Sequence, residues 1–451
     1  MLSKSIPNDC SEEYIFPCLK VAQQPSAVDS ALPAIYSRRV LIFSTNDNHG
    51  ISEAVQALCR AMEKLVERYS VLANSASCAS GAWRFSPGQA RLIIKELPLT
   101  FEELENANFS SKLLKHDELS SVVEMVDFEN DWDCCKIQAN FIEGGLLLCI
   151  SILHIAMDGA AITRVIQDMA RYTCDNRGPV VKMSPATLDR SRLSRSSSIP
   201  DITKMPAFLI LNEAFDFTSR VKGSISSTMY RLKNESVNQL KSDCSKGLPP
   251  DCPFISSHDA VCALLFRQKI KARVKAGIIT PTDRVQYSFP VECRRTIHPP
   301  LPSDFIGNAV IFTATPFLLV EDLLKPEGLS LAAAAIRQGI KDVDADFIDN
   351  AIAVMRSLKD PKTLNYYGAI HGKTTGIAST SYKGFVMPND WHPAIGEYQL
   401  MRLLHGGFGD GMFVVMPVRD SGWEVIVTLD EVAMDVFEDE QWNKYTIKIE
   451  V

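Results

Sequence analysis

The stretch NFIEGGLLLCISILHIAMDGAAI, residues 140–162, carries the strongest structural signal in the sequence. It is a long apolar run that Gly144 and Gly145 divide near its start. This pattern predicts two β-strands that form a hairpin across the glycines. The second strand runs into LHIAMDG, residues 153–159, and the pattern after Asp158 predicts an amphipathic helix. The stretch therefore predicts a strand, a turn that contains a histidine, and a helix.

The histidine of that turn, His154, is the first candidate for chemistry. A side chain at the end of a strand can emerge at a sheet edge, and a neutral imidazole is a suitable base for a hydroxyl or an amine near neutral pH. The alternative is a packed histidine followed by an ordinary Asp158–Gly159 helix cap. Average residue usage gives only about 0.02 chance matches to HxxxDG in a chain of this kind. The motif alone leaves both interpretations open.

Composition limits the class of protein. The 451 residues are 46% apolar and 22% charged, which indicates a soluble globular protein with two large domains. A formal charge of −7 argues against nucleic acid or an anionic membrane as the main partner. The polar N-terminus lacks the apolar core of a secretory signal. Twelve cysteines without a CxxC pair favour reduced thiols in the cytoplasm, and no HExxH or paired Cys–His cluster predicts a metal site.

Helical and strand patterns alternate along the whole chain and predict two mixed α/β halves of similar size. Residues 179–206 are rich in Ser, Arg and Pro and show no period, which is typical of a linker. We therefore predict an N-terminal domain over residues 1–178, a crossover linker over 179–225 and a C-terminal domain over 226–451.

Four further segments follow residues 140–162 along the chain. They are SPATLDRSRL (184–193), ISSHDAVCALLFRQKIKAR (255–273), VECRRTIHPPLPSDFIGNAV (291–310) and GDGMFVVMP (409–417). Together these segments and the HxxxDG motif resemble the fungal branch of the BAHD superfamily of CoA-dependent acyltransferases, and the resemblance spans most of the chain.

The resemblance implies two chloramphenicol-acetyltransferase-like domains, each a mixed sheet with flanking helices, joined by the crossover loop and separated by a solvent channel. It implies that a segment near 376–405 packs with the N-terminal domain. It also implies that His154 lies in the channel as general base. Gly159, in the same motif, is expected to permit close approach of another backbone or ligand. Asp158 would point away from the channel and pair with Arg294, which makes it a structural residue.

The same resemblance implies transfer of an acyl group, with acetyl as the default, from acyl-CoA to a small specialised metabolite. The protein would act as a monomer in the cytoplasm, without a permanently bound cofactor. The oxyanion donor is expected among Ser379, Thr380 and Ser381. Residues expected to contact CoA are Ser256 and Ser257 at a helix N-terminus, Lys269, Lys271 and Arg273 on the same helix, Ser381 and Asp390.

One signature of the family is different here. Where the family has DFGWG, this chain reads NDWHPAIGEY, residues 389–398. Two alternatives therefore stay open beside CoA-dependent transfer. One is a condensation-type transferase that uses a carrier protein, although Leu153 stands where those enzymes have a second histidine. The other is a binding or cyclase-like protein on the same scaffold that no longer transfers acyl groups.

Overall fold

The structure is a computed structural model that describes residues 4–5, 12–45, 50–78, 82–123, 125–174, 179–213, 215, 223–404, 409–417 and 422–449. The chain forms two compact units. The first comprises Met1–Ser194, Leu301–Ala309 and Phe385–Gly407, and the second comprises Arg195–Pro300, Val310–Gly384 and Phe408–Val451. Residues 214 and 216–222 of the predicted linker lie outside the described part of the chain.

The first unit is built on a mixed sheet, whose strands run β1-β2-β5-β7-β8-β3-β16 with β4 and β6 attached beside β5. Its strands are β1 (Lys4–Ser5), β2 (Glu12–Cys18), β3 (Tyr36–Ser44), β4 (Asn74–Ser77), β5 (Arg84–Thr100), β6 (Trp132–Asp133), β7 (Cys135–Glu143), β8 (Gly145–Leu153) and β16 (Glu397–Arg402). Its helices are α1 (Ala27–Ser30), α2 (Ile51–Arg68), α3 (Phe101–Asn106), α4 (His116–Leu119), α5 (Gly159–Cys174) and α6 (Pro185–Leu188). Strands β5 and β7 are parallel, whereas β8 pairs antiparallel with β3 and β7.

The hairpin of β7 and β8 forms where the glycine pair predicts it. Gly144 makes the turn with a φ of +71°, a conformation that side chains with a Cβ rarely adopt. All nine residues of β8 are buried, which explains why its sequence is a continuous apolar run rather than an alternating one. The burial of β8 fixes the position at which the chain leaves the sheet, immediately before His154.

The second unit contains another mixed sheet, in the order β12-β11-β15-β17-β18-β10-β19 with β13 beside β11, and a small pair of β9 and β14. Its strands are β9 (Phe208–Ile210), β10 (Ile225–Lys233), β11 (Arg284–Glu292), β12 (Val310–Ala314), β13 (Leu318–Leu319), β14 (Leu364–Tyr366), β15 (Gly376–Ser381), β17 (Met412–Val415), β18 (Gly422–Asp430) and β19 (Ile447–Lys448). Its helices are α7 (Asn234–Ser245), α8 (Ser257–Lys275), α9 (Val320–Leu324), α10 (Gly328–Lys341), α11 (Ala345–Ser357), α12 (Tyr367–Ile370), α13 (Glu431–Asp435) and α14 (Glu440–Asn443).

The predicted α/β class, with two mixed sheets flanked by helices, is confirmed. Neither unit is one continuous segment of the chain, because Leu301–Ala309 and Phe385–Gly407 belong with the N-terminal part. The stretch VAMDVFEDEQWNKY, residues 432–445, predicts one final helix, but the structure has two, α13 and α14. Asp439 accepts a hydrogen bond from the Trp442 amide at 2.9 Å and so begins α14 as a separate helix.

Candidate active site

The loop between β8 and α5 carries His154. The His154 amide donates to the Ile35 carbonyl at 2.8 Å, and the Ala156 amide donates to the Leu153 carbonyl at 2.8 Å. The loop is therefore held to the sheet through its main chain. The His154 residue is partly exposed, while its neighbours Leu153 and Ile155 are buried. This arrangement places one titratable side chain at an otherwise apolar strand end.

The surroundings of His154 favour a neutral imidazole. Burial lowers the pKa of His154 below its ordinary value, because the charged ring loses hydration. Hydrogen bonding to its own main-chain carbonyl, the charge of Asp158 and hydrogen bonding to Asn308 act in the opposite direction on this pKa. The imidazole is consequently unprotonated near neutral pH and can accept a proton.

Asp158 is fully buried and ties two segments together. One carboxylate oxygen, Oδ1, accepts from the Ala161 amide at 2.9 Å in the first turn of α5. The other, Oδ2, accepts from the Ala309 amide at 2.9 Å. The Asp158 amide in turn donates to the Gly307 carbonyl at 3.2 Å. Asp158 thus caps α5 and holds residues 307–309 against the histidine loop.

Arg294, the predicted partner of Asp158, lies in the second unit. Its guanidinium donates to Glu292 Oε1 at 3.0 Å, and its amide donates to the same oxygen at 2.8 Å. The ion pair between Asp158 and Arg294 stays a prediction. The structural role of Asp158 is independently supported by its two main-chain partners within the first unit.

Gly159 lies where a side chain would collide with its surroundings. A Cβ at this position would stand 2.7 Å from two ring carbons of Phe385. The Gly159 carbonyl accepts hydrogen bonds from Arg39 at 2.8 Å and from the Thr163 hydroxyl at 2.7 Å. Arg39 is buried and also donates to Thr163 at 2.8 Å. The glycine therefore permits close packing at the start of α5.

Asn308 and Asp29 are part of this site, although neither was a candidate in the sequence. Asn308 Nδ2 donates to the His154 carbonyl at 2.8 Å and to Asp29 Oδ1 at 2.7 Å. The other oxygen of Asp29, Oδ2, pairs with Arg190 at 2.9 Å, and a second Arg190 nitrogen donates to the Ala156 carbonyl. All three side chains are buried. The available signals were weak: Asn308 lies in the IGNAV stretch, and Asp29 follows Ser26 at capping-box spacing.

In the second unit, α8 begins where the sequence predicts. Ser256 is the N-cap of this helix and forms a capping box with Asp259, with distances of 3.2 Å and 2.7 Å. Ser257 opens the first turn. Ser381, at the end of β15, has its hydroxyl 3.1 Å from His258 Nε2. The structure thus brings the predicted Ser256, Ser257 and Ser381 into one region, together with His258, which was not predicted.

The basic residues of α8 do not form a solvated face. Arg273 is fully buried and donates to three main-chain carbonyls and, at 3.0 Å, to Asp410. Lys269 is also fully buried and donates to the Met412 and Thr428 carbonyls at 2.8 Å and 2.7 Å. Lys271 pairs with Asp439 at 2.5 Å. The expectation that Arg273 and Lys269 contact CoA is therefore corrected: their donors hold the interior of the second unit.

The divergent stretch 389–398 packs within the first unit. Trp391 is buried, lies edge-on to Phe43 with ring centroids 5.1 Å apart, and donates to the Pro388 carbonyl at 2.9 Å. Gly396 has a φ of +99°, and a Cβ there would lie 2.2 Å from the Ser44 carbonyl oxygen. Asp390, a predicted CoA contact, is exposed. The loop is a folded element that anchors β16 beside β3 and leaves Asp390 at the surface.

Of the three oxyanion candidates, Ser379 is the least available. Its hydroxyl lies 2.5 Å from the buried Tyr287 hydroxyl, whereas Thr380 and Ser381 are partly exposed.

Across the described ranges, no group of three or more His, Cys, Asp or Glu side chains could hold a metal ion. No helix in the described part of the chain is long and apolar enough to span a membrane.

Comparison with known proteins gives one family match and several similar proteins. A family model described as the Transferase family matches residues 10–444. The chain is 30% identical to an enoyl-CoA isomerase/hydratase of Penicillium crustosum, claC, over 93% of its own length but only 50% of that protein. It is 23% identical to the O-acetyltransferase pboB of Aspergillus ustus, over 93% of this chain and 96% of the relative. The crystal structure of Fusarium graminearum TRI101 with coenzyme A and deoxynivalenol shares the fold, with a TM-score of 0.82, 16% identity and coverage of 95% and 99% of the two chains.

Proposed function

We propose that this chain, which belongs to the Transferase family, is an acyltransferase of the BAHD type, as its motifs predict, and that His154 is its general base. In this proposal the enzyme moves an acyl group, acetyl by default, from acyl-CoA to a hydroxyl or amine of a small specialised metabolite. The observation that carries the proposal is a neutral, partly exposed imidazole at the end of β8, on a loop that Asp158 and Asn308 hold rigid.

The proposed reaction is a direct transfer. His154 takes the proton from the acceptor O–H or N–H, and the acceptor atom attacks the thioester carbonyl carbon. The carbonyl π electrons move to oxygen and give a tetrahedral oxyanion, which a hydrogen-bond donor stabilises. The C–S bond then breaks, and the CoA thiolate leaves with the proton that His154 returns. The acyl group never bonds to the protein.

Thr380 is the proposed oxyanion donor. Ser379 already shares its hydroxyl with Tyr287 at 2.5 Å, while Thr380 is partly exposed on β15. Ser256, Ser257 and Ser381 are the proposed contacts for CoA. They combine the N-terminus of α8 with serine hydroxyls, and phosphate or pantetheine oxygens are natural partners for such groups.

The fungal relatives support the substrate class. The Aspergillus ustus relative is described as an O-acetyltransferase, and the similar fold of TRI101 was solved with coenzyme A and a small-molecule acceptor. We propose the same co-substrate for this chain. A monomer in the cytoplasm is proposed with it.

The proposal is tested by incubation with acetyl-CoA and a panel of small alcohols and amines, with free thiol followed over time. Acceptor-dependent thiol release and a product heavier by one acetyl group are expected. A binding titration with CoA alone then separates the alternatives. A carrier-protein-dependent transferase, or a binding protein without acyl transfer, would show no saturable binding of free CoA.

A further inference from the structure

Two buried polar atoms beside His154 lack a hydrogen-bond partner of ordinary geometry. They are Nδ1 of His154 and Oδ1 of Asn308. Buried polar atoms rarely stay unpaired, because each one forfeits its hydration without compensation. One of these atoms is a ring nitrogen that can carry a hydrogen, and the other is an amide oxygen that can only accept. Their chemistry is therefore complementary.

The orientation of the Asn308 amide is fixed by its other bonds. Its Nδ2 donates to the carbonyls of His154 and Ile155 at 2.8 Å and 3.3 Å, and to Asp29 Oδ1 at 2.7 Å. The Asn308 main-chain amide donates to the same Asp29 oxygen at 2.9 Å. A flipped amide would place its oxygen against the Asp29 carboxylate and two carbonyl oxygens, where no hydrogen is available. The amide oxygen must therefore be the atom left for the imidazole.

Asp29 is held in turn by a complete set of donors. Its Oδ2 accepts from the Ser26 amide at 2.7 Å, the Ser26 hydroxyl at 2.8 Å and Arg190 at 2.9 Å. Asp29 is fully buried and Arg190 nearly so. Breaking such a pair leaves an uncompensated buried charge, which makes the anchor rigid. The chain of contacts runs from Arg190 through Asp29 and Asn308 to the histidine loop.

We propose that Asn308, anchored by Asp29, is a positioning residue that accepts the hydrogen of His154 Nδ1 and so leaves the Nε2 lone pair free for the acceptor's proton. A carboxylate or amide oxygen behind a catalytic imidazole has this role in other enzyme folds. Here Asp158 does not fill it, since its two oxygens serve the amides of Ala161 and Ala309. Hydrogen bonding to the His154 main-chain carbonyl and, to a smaller extent, to Asn308 raises the pKa of His154, which agrees with an acceptor on Nδ1.

The inference rests on His154 as the base of the proposed function, but its test does not require an acyl acceptor. Protein labelled with ¹⁵N-histidine is observed by NMR, and His154 is assigned by its loss in His154→Ala. The nitrogen shifts distinguish a neutral ring with its hydrogen on Nδ1 from one with its hydrogen on Nε2. The wild type is expected to carry the hydrogen on Nδ1, and a dominant Nε2–H form would overturn the proposal.

Two variants test whether Asn308 is the cause. Asn308→Leu keeps the approximate volume and removes the acceptor, while Asp29→Asn keeps Asn308 but weakens its anchor. Both are expected to populate the Nε2–H form. Once an acceptor is known, kcat should fall at least roughly tenfold, a part of the 10²–10⁴ that positioned acid–base catalysis supplies, while KM for acyl-CoA changes little. The acid limb of kcat/KM, which is the pH range in which kcat/KM falls on acidification, should move to lower pH.

Asn140→Leu is the matched control. Asn140 is a buried amide of the same unit whose Nδ2 donates to the Leu119 and Leu147 carbonyls at 3.2 Å and 3.1 Å. This variant should lower the melting temperature without changing the His154 tautomer or the acid limb. If Asn308→Leu behaves like Asn140→Leu, the Nδ1 hydrogen is held by the His154 carbonyl instead, and the role of Asn308 is refuted. Absence of acyl transfer with an unchanged Nδ1–H tautomer would count against the proposed function alone.

Discussion

The Asp158 carboxylate accepts a hydrogen bond from the Ala309 amide at 2.9 Å, which joins the HxxxDG loop to a segment 151 residues later in the chain. Its second oxygen caps α5 through Ala161. Both bonds need an acceptor, and neither uses the carboxylate as a base. Asp158 therefore maintains the loop, while the chemical role in the motif is proposed for His154.

Asp158→Asn tests this division. An asparagine offers one oxygen and one NH₂ group, so one of the two main-chain amides would face a donor. Loss of a cap costs about 1 kcal/mol, and an unsatisfied buried donor costs about 1–3 kcal/mol. We expect a clear fall in melting temperature together with reduced activity. An inactive variant that melts like the wild type would assign Asp158 a direct part in the reaction.

Gly159→Ala should destabilise the first unit. The new Cβ would overlap the Phe385 ring, and overpacking of this kind costs about 1–3 kcal/mol. Gly384→Ala, in a turn, is the control because nothing lies within 4 Å of its added Cβ. Thermal unfolding compares the two, and the added substitution Phe385→Leu should restore part of the loss. Equal melting of both alanine variants would mean that Gly159 is not needed for packing.

The pH dependence of activity follows from the burial of His154. Because burial lowers the pKa of His154 from 6.5, kcat/KM should fall with an apparent pKa below 6.5 as the pH is lowered. As the pH falls, His154 of the unfolded chain is protonated before His154 of the folded chain. The stability that the neutral ring contributes is therefore lost as the pH falls from 6.5 to the pKa of the folded state. Melting temperatures of the wild type and His154→Ala should therefore converge with falling pH. An acid limb above pH 6.5 would contradict this environment for the ring.

Arg273→Leu tests the corrected role of α8. The substitution leaves Asp410 buried without its cation and three carbonyls without donors, and breaking a buried pair costs about 3–5 kcal/mol. Lys275→Ala, a more exposed residue in the last turn of the same helix, should be nearly neutral. Chemical denaturation measures both. If Arg273→Leu stays as stable as Lys275→Ala and only weakens CoA binding, the original prediction of a CoA contact would be restored.

The elements with strong local signals could be predicted from the sequence. The β7–β8 hairpin follows from an apolar run interrupted by two glycines, and the N-terminus of α8 follows from Ser256 and Asp259 at capping-box spacing. A chemical role of His154 could be proposed because its motif is rare and directly follows the predicted hairpin. Each of these features depends on neighbours in the sequence.

Features that depend on distant contacts could not be predicted. Charged residues on a helix usually face solvent. The sequence around Lys269 and Arg273 therefore did not indicate that both side chains would be buried and paired with main-chain carbonyls and Asp410. Asp29 lies 279 residues from Asn308, and no local pattern links the two. The division of the chain into units was obscured for the same reason, since Leu301–Ala309 joins the first unit through bonds to Asp29, His154 and Asp158.

In the proposed reaction, His154 removes the acceptor's proton. The most direct test of this step is acceptor-dependent thiol release from acetyl-CoA by the wild type, by His154→Ala and by His392→Ala, a histidine of the first unit in the divergent loop. We predict that His154→Ala lowers kcat/KM at least roughly 10²-fold, with retained folding, while His392→Ala stays close to the wild type. Equal acceptor-dependent release by the wild type and His154→Ala would contradict the claim.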